Sequence, residues 1–170
     1  MDAFPTEIVR FELDGKTIEA LPGESILQAA QRTGAEIPHL CYKDGYRPDG
    51  NCRACVVEID GERVLAPSCC RNPKEGMQVN SQSERALHSQ KMVVELLLSD
   101  MPEQGKSPYT QRSELDVWAE KLGVAQPRFA GRSQPAQDVS HPAITVQLDA
   151  CIQCTRCVRA CREVQVNDVI

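Results

Sequence analysis

The sequence predicts an α+β chain in three parts: a small mixed sheet carrying one helix, a helical connector, and a short cysteine-rich segment. Three observations predict it. Short β-like runs with two-residue turns, broken by one capped apolar stretch, fill the first 80 residues. Helical periodicity replaces them from about Ser81 to Leu122. Nine cysteines then fall mainly into two groups. Cys41, Cys52, Cys55 and Cys69 read C-x10-C-x2-C-x13-C, and Cys151, Cys154, Cys157 and Cys161 read C-x2-C-x2-C-x3-C. The ninth, Cys70, adjoins Cys69.

Each element has a local reason. Glu7 to Leu13 partly alternates as a strand, Asp14-Gly15 makes a two-residue hairpin turn, and Lys16 to Leu21 returns. Pro22-Gly23 breaks the strand, and Ser25 caps a helix bearing Ile26, Leu27, Ala29 and Ala30 that ends at Gly34. A loop follows from Ile37 to Ala54. Cys55 to Ile59 and Arg63 to Ala66 are strands joined by Asp60-Gly61, and Met77 to Asn80 is a short closing strand. Ser81-x-x-Glu84 has the form of a capping box for a helix running to about Ser99. Its apolar face takes Leu87, Val94, Leu97 and Leu98, widened by Met92, Val93 and Leu96. That breadth suits packing between two bodies. Ser113 to Leu122 is a second helix ended by Gly123, with Trp118 as a packing residue. Residues 123–142, rich in Pro, Gln, Ser, Ala and Gly, read as a linker, and Ile144 to Leu148 as a strand leading into the last cysteines.

Bulk composition excludes several functions. Acidic residues outnumber basic ones, 24 to 19, with no long basic run, which disfavours nucleic-acid binding. Aromatics make up only 4%, so the core must rest on aliphatic residues, and bound metal would add to folding stability. The longest apolar run, Met92 to Leu98, is interrupted by Glu95 and is too short to span a bilayer. With no leader pattern visible in Met1 to Arg10, a cytoplasmic protein is expected. In that compartment clustered cysteines favour metal over disulfides. Cysteines two residues apart also suit a cluster loop better than a bridge.

The first group fits iron–sulfur chemistry. A two-iron cluster takes four thiolates. Cys52 and Cys55 fit one tight loop, where Gly50 lets backbone approach closely and amide N–H groups can face the sulfurs. A zinc site is the competing reading, but structural zinc usually pairs two C-x2-C knuckles and this group has one.

The stretches Ile37-Pro-His-Leu-Cys41, Gly50-Asn-Cys52-Arg-Ala-Cys55-Val-Val-Glu58 and Pro67-Ser-Cys69 carry a resemblance. They resemble the amino-terminal [2Fe–2S] domain of the complex I large iron–sulfur subunit, of iron-only hydrogenases, and of the NAD-dependent molybdenum formate dehydrogenase α subunit. The resemblance implies a β-grasp [2Fe–2S] ferredoxin domain over residues 1–82, with Cys41, Cys52, Cys55 and Cys69 as ligands. Cys70 then has no ligand role, although a swap with Cys69 stays open. A helical connector over 83–122, a linker over 123–143 and the first half of a bacterial-type 2[4Fe–4S] ferredoxin domain over 144–170 would follow. The complex I subunit and many hydrogenases also carry a middle cluster on one histidine and three cysteines after the long helix. Here no cysteine lies between Cys70 and Cys151, so that cluster is expected to be absent. His88, inside the helix, is read as solvated or packing, and His39 and His141 as structural. The stretches Glu95-Leu-Leu-Leu-Ser-Asp-Met-Pro and Ser140-His-Pro-Ala to Asn167-Asp-Val-Ile look more like the formate dehydrogenase subunit.

The second group is a [4Fe–4S] pattern. Either all four cysteines hold one cluster, or Cys151, Cys154 and Cys157 hold one and Cys161 serves another completed beyond Ile170. The second option makes this chain the start of a longer subunit. The expectation is therefore an electron-transfer module of an oxidoreductase, with no catalytic residue of its own. By resemblance, the whole enzyme would oxidise formate to CO₂ at a molybdenum or tungsten pterin in a downstream catalytic domain. It would relay electrons to flavin- and NAD-binding diaphorase-type subunits. A hydrogenase or complex I-like NADH dehydrogenase segment, an independent small ferredoxin-like protein and a zinc-stabilised interaction module remain the competing readings.

Overall fold

A computed structural model describes residues 7–101, 112–131, 133, 136–146 and 151–167. One compact unit takes the described residues up to Gln90 together with those from Thr155; a second takes Lys91–Cys154.

The first unit is built on a five-stranded mixed sheet. Strand β1 (Val9–Leu13) turns at Asp14 and Gly15, φ 50° and 78°, into antiparallel β2 (Lys16–Ala20). Positive φ at both turn positions matches the twist of the two strands. Then come α1 (Ile26–Arg32), β3 (Val56–Ile59), β4 (Ala66–Pro67) and β5 (Gln78–Asn80). The order across the sheet is β2-β1-β5-β3-β4, with β1 and β5 parallel and the other pairs antiparallel. This is the expected mixed sheet with one helix. Alternation in β1 and β2 turns Phe11, Leu13, Ile18 and Ala20 inward, where they meet Ile26, Leu27, Ala29 and Ala30 of α1. Each large apolar side chain so buried stabilises the fold by about 1.5–3 kcal/mol. Ser25 caps α1 in a capping box with Gln28, as its position predicts.

Three expectations are revised. The strand expected over Arg63 to Ala66 is only Ala66–Pro67, because just Val56 and Val57 of β3 pair with it and Val64 is 59% exposed. Helix α2 (Glu84–Asp100) is capped by Ser83, whose hydroxyl accepts from the Ala86 N–H at 3.1 Å. Ser81 is engaged elsewhere: its N–H and hydroxyl both donate to the Asp14 carboxylate at 2.6 Å. Of the expected apolar face of α2, Val94 is fully buried, Leu87, Leu97 and Leu98 are half-buried and Leu96 is exposed, and the buried line is completed by Ala86, Gln90 and Glu95. Gln90 is completely buried, and its Nε2 donates to Val56 O at 2.9 Å and Ser81 O at 3.3 Å.

In the second unit, α3 (Glu114–Leu122) begins in a capping box of Ser113 with Asp116 and ends at Gly123. Trp118 lies under Lys121, whose Nζ is 4.9 Å from the ring centroid. Strands β6 (Asp138–His141) and β7 (Ile144–Val146) form an antiparallel hairpin, so β6 falls inside the stretch expected as linker. Leu148 and residues 168–170 lie outside the described residues. Among the described residues no helix is long and apolar enough to cross a membrane.

Candidate metal centre

The first cysteine group is assembled by the loop between α1 and β3 and by the turn after β4. Cys41 and Cys55 are 1% exposed and Cys69 is fully buried, while Cys52 is half-buried. The Cys41 N–H donates to Cys52 Sγ at 3.4 Å, and the Cys52 N–H donates to Cys41 Sγ at 3.5 Å. Backbone amides of Asn51, Ala54 and Cys69 add bonds to Cys41, Cys52 and Cys55 respectively. The loop achieves this by tight turning, with Gly50 at φ 62° and Arg53 at φ 59°. Three of the five non-glycine residues with positive φ among the described residues lie in cysteine loops: Arg53, Gln153 and Thr155. Such backbone persists where the surroundings impose it, commonly at functional sites.

The thiols form a chain of contacts, Cys52 to Cys41 to Cys69 to Cys55. Cys52 and Cys69 donate to Cys41, which holds its thiol well below the usual thiol range, against its burial. Cys55 is lowered by the Cys69 thiol, against its burial. The donors Cys52 and Cys69 are pushed up, by giving their protons to these neighbours and by burial. Four thiolates cannot share this buried pocket without a compensating cation. Pairwise sulfur contacts with inward-facing amides fit a two-iron cluster better than one tetrahedral Zn²⁺.

Cys70 is exposed, and its Sγ is 3.5 Å from that of Cys69. His39 bonds to Ile37 O and Gln31, in keeping with a structural role. His88 is exposed.

Of the second group, Cys151 and Cys154 lie in a loop of one unit, and Cys157 and Cys161 in the other. The Gln153 N–H donates to Cys151 Sγ at 3.4 Å, the amide-to-sulfur pattern of the first group. Cys157 lies in α4 (Arg156–Arg159) and Cys161 in the π-helical turn Ala160–Gln165 that continues it. Only Cys151 and Cys154 therefore precede the helix.

A mixed sheet with one packed helix and a buried four-thiol loop defines a ferredoxin-type domain. Residues 6–84 match the 2Fe-2S iron–sulfur cluster binding domain family. Along 94% of its length the chain is similar to a chain of an NAD+-reducing [NiFe]-hydrogenase solved in the H2-reduced state, with 31% identity, a TM-score of 0.81 and 68% of that chain covered. Residues 6–84 therefore form a domain of this 2Fe-2S cluster-binding family. It is also similar to the NADP-reducing hydrogenase subunit HndD of Solidesulfovibrio fructosivorans, 37% identical over 93% of this chain. A subunit of the NADH-quinone oxidoreductase of Rhizobium meliloti is 32% identical over 92% of this chain. The same figures hold for the mitochondrial NADH-ubiquinone oxidoreductase 78 kDa subunit of Candida albicans. The chain spans 28%, 19% and 22% of these three curated relatives.

Proposed function

We propose that this chain is an iron–sulfur electron-transfer module of a larger NAD-linked oxidoreductase. The observation that carries the reading is the set of buried Cys41, Cys55 and Cys69 with half-buried Cys52, linked through their sulfurs and met by backbone amides. These four hold a [2Fe–2S] cluster on the margin of a β-grasp sheet. When bound, the cluster supplies one-electron chemistry. The protein excludes water from Cys41, Cys55 and Cys69 and aims N–H dipoles at the sulfurs, which favours the more negative reduced state. The second group supplies [4Fe–4S] ligands, so electrons pass between two centres. Relatives named as hydrogenase and NADH-quinone oxidoreductase subunits support a place in such a relay.

For the parent enzyme, the lack of any cysteine between Cys70 and Cys151 favours the formate dehydrogenase α subunit, with its Mo or W pterin and flavin- and NAD-binding partners. The native complex, isolated through a tag on this chain, tests that choice. Formate-dependent NAD⁺ reduction is expected; hydrogen-dependent reduction without a formate response would move the chain to a hydrogenase.

A further inference from the structure

Arg159 stands between Cys157 and Cys161, yet its side chain belongs to the first cysteine loop. It is 4% exposed. Its Nη2 donates to the carbonyl of Cys41 and its Nη1 to Arg47 O at 2.7 Å. Its Nε reaches Thr155 Oγ1 at 3.3 Å, and its guanidinium carbon lies 5.7 Å from the Tyr46 ring centroid. The flanking residues dock on the same loop. Arg156 donates to Tyr42 O at 2.8 Å, the Thr155 hydroxyl to Asp49 at 2.9 Å, and the Arg47 N–H to Glu163 at 2.9 Å.

We propose that Arg159 is a positioning residue that also places a buried positive charge beside the [2Fe–2S] loop and raises its reduction potential. This rests on the function proposed above. A buried guanidinium is unfavourable unless its donors are satisfied and opposite charge is near. The carbonyls of Cys41 and Arg47 and the Thr155 hydroxyl serve the first condition, and a thiolate-ligated cluster held by Cys41 would add opposite charge nearby. Reduction adds one negative charge to that cluster, and a cation held in a low-dielectric setting stabilises the added charge more than a solvated one would. Because Arg159 comes from the second cysteine motif, that motif tunes the first. Thr155, Arg156 and Glu163 would suffice for a tether alone; the buried charge on the carbonyl of a ligand residue is what a tether does not need.

The test is an EPR-monitored redox titration of the anaerobically reconstituted full chain as wild type, Arg159→Gln and Arg159→Lys. Arg159→Gln should lower the potential of the two-iron signal by about tenfold in the reduction equilibrium, about 59 mV for one electron. Arg159→Lys keeps the charge and should stay within about threefold of wild type. Amide exchange in the Cys41–Gly50 loop should quicken in both variants, since both lose the forked donor. Equal potential shifts in the two variants, or no shift with Gln, would overturn the electrostatic role and leave only a tether. If the Gln variant does not retain iron, the Lys variant decides: a tenfold drop overturns the proposal, and a near-native potential supports it. Absence of a two-iron signal in the wild type overturns the proposed function and this inference together, whereas variant results that disagree with expectation overturn this inference alone.

Discussion

Gly50 and Cys70 show how closely the cluster loop is fitted. At φ 62° a side chain on residue 50 is strained, and its Cβ would lie 2.9 Å from Cys70 Sγ. Gly50→Ala should therefore destabilise the protein by about 1–2 kcal/mol from backbone conformation alone. Contact with Cys70 adds to this. In a Cys70→Ala background the contact part should vanish and the backbone part remain, which a double-mutant cycle of thermal unfolding measures. A Gly50→Ala protein as stable as the wild type would contradict this packing. At this scale the sequence is informative where chemistry is local. The spacing of Cys52 and Cys55 places both in one tight loop, whereas Cys41 and Cys69 join them as proposed ligands only through the family resemblance. Arg159 is not legible, because its acceptor on Cys41 lies 118 residues away and no spacing rule links them.

Helix α2 is the clearest case at the level of elements. Its existence and length follow from apolar periodicity, but its start and its buried line do not. Ser81 and Ser83 are equally good caps on paper, and the choice falls to Asp14, which engages Ser81 from the end of the neighbouring strand β1. Ser83→Ala should cost about 1 kcal/mol in urea unfolding. Loss of the same amount on Glu84→Ala, with none for Ser83→Ala, would restore the Ser81 capping box. Gln90 defeats a reading by hydrophobicity, since its buried amide bridges Val56 O and Ser81 O. Gln90→Leu, although more apolar, should destabilise by about 1–3 kcal/mol because two carbonyls lose their donor. An unchanged midpoint would show that those bonds contribute nothing.

Further along α2, Glu95 pairs with Arg128. The carboxylate accepts from the Arg128 N–H at 2.8 Å and from Nε at 2.7 Å. The Arg128 guanidinium holds Glu95 at about 2, below its ordinary 4.5. The folded-state value is the lower one, so the pair's contribution is complete above about 4.5 and fades as pH falls towards about 2. The protection factor of the Arg128 amide, its exchange rate referred to that of an unstructured chain at the same pH, should fall over that window, and in Glu95→Gln it should not change with pH. Protection that stays constant down to pH 2 in the wild type would exclude the pair as an anchor.

At the scale of the molecule, the succession of strands and helix along the chain and their union in one mixed sheet are readable because turns, caps and alternation agree with one another, whereas the order β2-β1-β5-β3-β4 across the sheet is not. Nor is the hairpin of β6 and β7, because Asp138, Val139, Ser140 and His141 are all exposed strand residues in a stretch of loop-like composition. The central claim is that the first cysteine group holds a two-iron cluster for electron transfer. The most direct measurement is iron and sulfide content with EPR of the anaerobically reconstituted, dithionite-reduced full chain, compared with Cys55→Ser and Cys70→Ser. A reduced [2Fe–2S] signal is predicted in the wild type, retained in Cys70→Ser and lost or strongly altered in Cys55→Ser. A colourless, EPR-silent wild type that binds zinc instead, or a signal lost with Cys70 and kept without Cys55, would contradict it.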